Sequence, residues 1–214
     1  RYVAMGAVCR EESRLHHHGV LDALIAEINT NSMRHASGAI RLLVRSGSVN
    51  FVPLFVASLS NEDEYVRRYA AEGLGNLREL SAIEPLLKAL QKAADEGEDG
   101  KYVCRDIVEA LGKIKAPESF EPILNFSLHC DEDITWNAFA VLKEIPHPRK
   151  VDLLLEALEQ ANQDLHISRY IIEILATSGD PRIVIPIMQL YHDSGDDYST
   201  ELTKVVANLK ATAI

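Results

Sequence analysis

Leucine recurs at one register along this chain. Leu43, Leu74, Leu111, Leu142 and Leu175 are separated by 31, 37, 31 and 33 residues, and each lies inside its own apolar-periodic segment. Nine residues after each leucine stands a second marker, Val52, Ile83, Phe120, Val151 or Val184, with Leu21 one period earlier, and each marker opens another apolar segment. Two apolar segments per period predict one pair of helices per copy. Such copies bury their apolar faces only against neighbouring copies, so the pattern sets core and architecture but carries no chemistry of its own.

The third copy shows the local logic. Val66, Ala70 and Leu74 fall at i, i+4 and i+8, one stripe of a first helix, with Asp63 placed to cap its N-terminus. Asp131 and Asp164 hold the same register in later copies, and Ser32 holds it in an earlier one. The second helix is predicted to bury Ile83, Leu86, Leu87 and Leu90, with Pro85 in its first turn, where a missing N–H costs little. Pro53, Pro122 and Pro186 hold nearly the same place. Breakers such as Ser46-Gly47-Ser48, Ala116-Pro117, Pro146-His147-Pro148 and Ser178-Gly179-Asp180-Pro181 separate the helices. Tyr198, Leu202 and Val206 repeat the first-helix stripe of Ile167, Ile171 and Leu175, so six pairs are followed by an odd last helix, which either caps the stack or marks a continuation. Asp95–Gly100, where the period stretches to 37, reads as a solvated acidic loop without the ligand pattern of a calcium hand.

At these residues a family resemblance emerges. Val66-Arg67-Arg68-Tyr69-Ala70-Ala71-Glu72-Gly73-Leu74-Gly75, followed by Ala82-Ile83-Glu84-Pro85-Leu86-Leu87-Lys88-Ala89-Leu90, resembles the short HEAT-like repeat named after phycobilisome lyases, and Ser178-Gly179-Asp180-Pro181 is similar to that family's turn between helices. The similarity extends over almost the whole chain and is loosest in the first copy, where Arg14-Leu15-His16-His17-His18-Gly19 lengthens the turn. It implies an all-α, right-handed α-solenoid of about six helix pairs plus a terminal helix. The expected layout is one domain over residues 1–214, with copies at 1–30, 31–60, 61–94, 101–129, 131–161 and 164–194 and a last helix at 197–211. Such repeats occur in chromophore lyases, phycobilisome-degradation factors, a di-iron hydroxylase and many scaffolds. The hydroxylase, deoxyhypusine hydroxylase, carries His-Glu pairs; here His35 precedes Ala36, His129 precedes Cys130 and His166 precedes Ile167, which speaks against that enzyme.

Charge narrows the partners. With 22 basic and 32 acidic residues, a formal charge of −10 and no basic stripe, the chain is expected to avoid nucleic acid. No apolar run is long enough to span a membrane. Three cysteines, Cys9, Cys104 and Cys130, at no metal-like spacing point away from a disulfide framework and toward a reducing, cytoplasmic setting. The chain opens at Arg1 inside the apolar pattern Tyr2, Val3, Ala7, Val8, so the lack of a visible leader carries little weight. No metal or cofactor is expected. Consecutive histidines at 16–18 diverge in direction, and His129-Cys130-Asp131 lacks the spacing of a thiol dyad. No Gly-rich phosphate loop or nucleophile elbow is present.

In the HEAT-like proteins that the chain resembles, second helices line the concave side. Steps of one repeat place Glu84, Glu121 and Asp152 in a row there, with Lys88, Asn125 and Glu156 one turn on. This acidic, amide-bearing groove is expected to bind another protein through a basic or helical segment. Arg68, Arg105 and Arg169 share a first-helix register with Trp136 and are expected to bridge neighbouring copies. The apolar ends, through Tyr2, Val3 and Val8 or Val205, Val206 and Leu209, would permit end-to-end homodimers. The resulting expectation is a non-enzymatic interaction scaffold; the alternative that the resemblance implies is a bilin lyase, chaperone or phycobilisome-associated factor acting on phycobiliproteins, with the carboxylates facing the pyrrole nitrogens of an open-chain bilin.

Overall fold

A computed structural model describes residues 33–161 and 164–194, with isolated positions at 23, 25–28, 203–204 and 207. Among the described residues there are ten α-helices with defined ends and no strand. They are α1 (Met33–Ser46), α2 (Val52–Ser58), α3 (Glu64–Leu77), α4 (Ile83–Asp95), α5 (Lys101–Ile114), α6 (Phe120–Ser127), α7 (Glu132–Glu144), α8 (Lys150–Gln160), α9 (Leu165–Leu175) and α10 (Val184–Ser194). The architecture is an all-α array of HEAT-like helix pairs, and the chain divides into two compact units, Arg1–Ser119 and Phe120–Ile214. In the first unit α3 packs on α1, α2 and α5, and α4 packs on α5. In the second, α7 packs on α6 and α9, and α8 on α6 and α9. Most of the first copy and of the terminal helix, and all of Cys9, the histidine run at 16–18, the Ser32 cap and the apolar ends expected to permit homodimers, lie outside the described residues.

Leucine burial explains the period. Leu43, Leu74, Leu111, Leu142 and Leu175 are all fully buried. In the second helices the fully buried register lies three residues beyond the sequence marker, at Phe55, Leu86, Ile123, Leu154 and Ile187, one turn into each helix. Of the four core residues expected in the third copy's second helix, Leu86 and Leu90 are buried while Ile83 and Leu87 are half-exposed.

Each first helix after α1 starts where its sequence says it should, or for a visible reason. Asp63 caps α3 by accepting from the Tyr65 amide at 2.9 Å, Asp131 caps α7 from Ile134 at 3.2 Å, and Asp164 caps α9 from His166 and Ile167 at 3.0 and 3.1 Å. α5 has no such cap; the Gly97–Gly100 segment, expected as a loop, is a 3-10 turn that feeds directly from the end of α4 into α5. α7 stops because Ile145 precedes Pro146 and takes an extended conformation. The carbonyls this leaves open are met by the Lys150 ammonium, which donates to Leu142 O, Lys143 O and Ile145 O at 2.8, 2.9 and 3.1 Å while lying 5.5 Å from the Phe120 ring centroid. Burial holds the Lys150 pKa below its ordinary value, with Glu144 acting in the opposite direction.

Two glycines set the spacing around α3. A Cβ at Gly75 would stand 2.7 Å from the Ala110 Cα of α5, and one at Gly73 would meet the Phe55 ring at 2.9 Å. α3 then ends on Arg78, a non-glycine residue at φ 51°, in the left-handed region. Gly75→Ala is expected to lower stability by about 1–3 kcal/mol, because the obstacle is backbone that cannot rotate away. Arg78→Gly is expected to raise it by about 0.5–1 kcal/mol by relieving the left-handed strain. Urea denaturation of the two variants checks both signs.

Candidate functional site

Each sequence-predicted contact residue can now be placed. Glu84 and Lys88 lie on the exposed side of α4 in the first unit, paired with each other at 3.2 Å and both more than 70% exposed. Glu121 and Asn125 lie exposed on α6 of the second unit. Asp152 and Glu156 lie on α8, where Asp152 accepts from Arg182 at 2.7 Å and Glu156 pairs with Arg149 at 3.3 Å. Of the four carboxylates in this set, Glu121 alone has no cation within bonding distance among the described residues. Thus most of the negative charge at these positions is met by the protein's own cations.

Arg182 shows how this happens. Its guanidinium also takes both oxygens of Asp180, with Nη2 at 2.7 Å from Oδ2. The hydrogen bonds that Arg182 donates to Asp180, then to Asp152, hold it well above the usual arginine pKa, and Arg182 in turn holds Asp180 below the usual carboxylate range. One arginine in the turn before α10 therefore ties that turn to α8, one copy back.

Two cavities open on the first unit. A groove of about 370 Å³ runs between α2 and α4, second helices of successive copies, with Val56, Leu59, Pro85 and Ala89 as its apolar lining and Glu84, Lys88 and Lys92 at its rim. A larger cavity of about 720 Å³ is walled by Glu62, Glu64, Glu96, Glu98 and Asp99, with Arg67, Lys92 and Tyr102. Lys92 belongs to both. Glu84 and Lys88 alone of the six expected contact residues border the groove, and the acidic cavity was not expected; its residues come from the start of α3, the end of α4, the turn before α5 and the start of α5. Within it the buried Arg67 side chain donates to Glu96 at 2.7 Å and to the carbonyls of Asn61 and Glu62. Glu96 is therefore a structural partner and not a freely solvated acid, although Asp95, Glu98 and Asp99 beside it are exposed.

The arginine register behaves as a bridge at Arg68. Its Nε donates to Asp106 of α5 at 2.6 Å, and its guanidinium carbon lies 5.6 and 5.4 Å from the ring centroids of Tyr65 and Tyr102. Burial opposes this charge, but the Asp106 bond and carboxylate outweigh it and Arg68 lies above its ordinary pKa. Arg105 continues the stack at 5.7 Å from Tyr102 and leans on Asp106 of its own helix. Trp136, in the same register on α7, is 60% exposed.

Among the described residues the two cysteines have structural surroundings. Cys104 is buried with its sulfur 3.9 Å from Leu90 O. Cys130 lies 3.3 Å from Thr135 Oγ1, burial pushes its thiol pKa up, and neighbouring Asp131 serves as the α7 cap. Among the described residues no group of three His, Cys, Asp or Glu side chains could hold a metal ion, and no helix is long and apolar enough to cross a membrane.

Comparison with known proteins adds the family. The description HEAT repeats matches residues 21–98 and 52–134, together more than half of the chain. A search of curated proteins found no match. Among solved structures, the complex of CpcE and CpcF of phycocyanin lyase from Nostoc sp. PCC7120 is similar over 99% of this chain and 88% of that one, with a TM-score of 0.53 and 22% identity. At that identity the likeness establishes the fold. It also corrects the expectation that the chain is more a scaffold than an enzyme: the solved structure that shares this fold is that of a lyase, so a solenoid without catalytic motifs gives no ground against enzymatic activity.

The Arg67–Glu96 pair yields a direct prediction. Glu96→Ala leaves a guanidinium buried with one partner fewer and is expected to cost ~2 kcal/mol of stability. Thermal denaturation at low and high salt checks it; a surface pair such as Glu84 with Lys88, cut by Glu84→Ala, should cost less than about 0.5 kcal/mol.

Proposed function

The chain belongs to the HEAT-repeat family, and from that premise we propose that it acts on a phycobiliprotein, as a bilin lyase or as a chaperone of chromophore attachment, by holding a protein partner along its second helices. The observation that carries the reading is the match of nearly the whole chain to a structure of the phycocyanin lyase complex, in agreement with the repeat motif around Val66–Leu90. A factor of this kind has to present a protein surface and restrain a flexible tetrapyrrole at once, and pre-ordered helices do so with little loss of conformational entropy. Glu121, the carboxylate of the row without a cation beside it, is the best placed of the set to face pyrrole nitrogens or a basic side chain. The partner contributes a helical segment, for which adjacent second helices offer a groove. The reading places the protein in the reducing cytoplasm, consistent with Cys104 and Cys130 being thiols and not disulfides.

Co-expression with an apo-phycobiliprotein and a bilin source tests the proposal. Covalent bilin on the apoprotein, detected by zinc-enhanced fluorescence in denaturing gels, is expected to rise at least about tenfold over a control lacking this chain, below the roughly 10²–10⁴-fold that one positioned acid–base group contributes. If neither attachment nor a shifted bilin spectrum appears, and no phycobiliprotein subunit is retained by the protein, the reading fails.

A further inference from the structure

We infer that the α2–α4 groove and the acidic cavity joined to it at Lys92 form one track, and that the track takes a partner helix carrying an apolar stretch followed by a basic end. The inference rests on the reading that this chain binds a protein partner and specifies where and with what polarity.

Charge is ordered along α4. From its N-terminus onward the rim carries Glu84, Lys88 and Lys92, and beyond the helix end come Glu96, Glu98 and Asp99. Glu84 and Lys88 satisfy each other, so the groove is close to neutral until Lys92. Its lining is aliphatic: Val56 and Ala89 are half-exposed, and Leu59 lies buried beneath. An apolar side chain of a partner loses water there without stranding a polar group.

Past Lys92 the sign reverses. Five carboxylates face two cations around the larger cavity, and Arg67 and Glu96 are already committed to each other. What remains is Glu62, Glu64, Glu98 and Asp99 against Lys92, an excess of negative charge in a recess large enough for the ends of long side chains. Tyr102, 52% exposed, closes the recess, its ring already carrying the Arg68 and Arg105 guanidiniums. Lysine or arginine is the chemistry that complements this recess, whereas the same residues placed one or two turns earlier would meet Lys88 and Lys92 and be repelled. The order of signs therefore fixes both register and direction of the bound helix, as alternating charges do in coiled coils. It also relocates the basic-partner expectation, from the Glu84, Glu121 and Asp152 row to acids that the sequence reading took for a solvated loop.

The test uses two fluorescein-labelled helical peptides of about 20 residues, with the same leucine-rich apolar face and either four lysines or four glutamates at the C-terminal end. Anisotropy is measured with the whole chain, with Glu98→Lys/Asp99→Lys, two exposed turn positions whose side chains make no hydrogen bond among the described residues, and with Ala89→Glu in the groove lining. Circular dichroism confirms that each variant is folded. The native chain is expected to prefer the lysine-ended peptide by about tenfold or more, the turn variant to abolish or invert that preference, and Ala89→Glu to weaken both peptides. Equal affinity for the two peptides, an unchanged preference in the turn variant, or no binding of either would overturn the inference. None of these readouts involves a phycobiliprotein or a bilin, so a failed attachment assay and a failed peptide assay remain separate results.

Discussion

The burial of one leucine per copy between stacked first helices is the constraint on which this protein depends. Leu43, Leu74 and Leu111 sit in first helices that pack in series, α1 on α3 and α3 on α5, and Leu142 and Leu175 do the same for α7 and α9. A helix of eleven to fourteen residues is marginal by itself in water. The apolar stripe becomes favourable only when the next copy covers it, so local structure and stacking arise together. Second helices are shorter where they can be, seven residues in α2 and eight in α6, because they need to cover one side only and their other side is left to solvent or to a partner.

This division of labour explains what the sequence made legible. Helix positions, the Asp63, Asp131 and Asp164 caps and the leucine core are short-range features, written in i, i+3, i+4 spacing and in single residue types. Site electrostatics are written elsewhere. Arg67 meets Glu96, Arg68 meets Asp106, Lys143 meets Glu173 and Arg182 meets Asp152, pairs separated by 29, 38, 30 and 30 residues. Each separation is close to one period of the repeat. A scan for opposite charges one copy apart would have found them, whereas reading each copy's acids as a row treated Asp152 as an open carboxylate.

The expectation of a non-enzymatic role failed for a related reason. Absence of a phosphate loop, a nucleophile elbow and a metal spacing weighs against enzymes that use those devices, and against no others. A repeat array distributes contacts over many helices, so a reaction that it assists by holding two large molecules together leaves no compact motif. The similarity to a lyase structure shows that such an array is compatible with enzymatic work.

The close approach at Gly75 reaches beyond its own helix. At the equivalent register the other copies carry Val44, Gly112, Lys143 and Ala176, so only one of them shares the glycine that lets Ala110 approach. Copies of this chain are consequently not interchangeable bricks: duplicating, deleting or shuffling one would bring a valine or lysine against a backbone shaped for glycine.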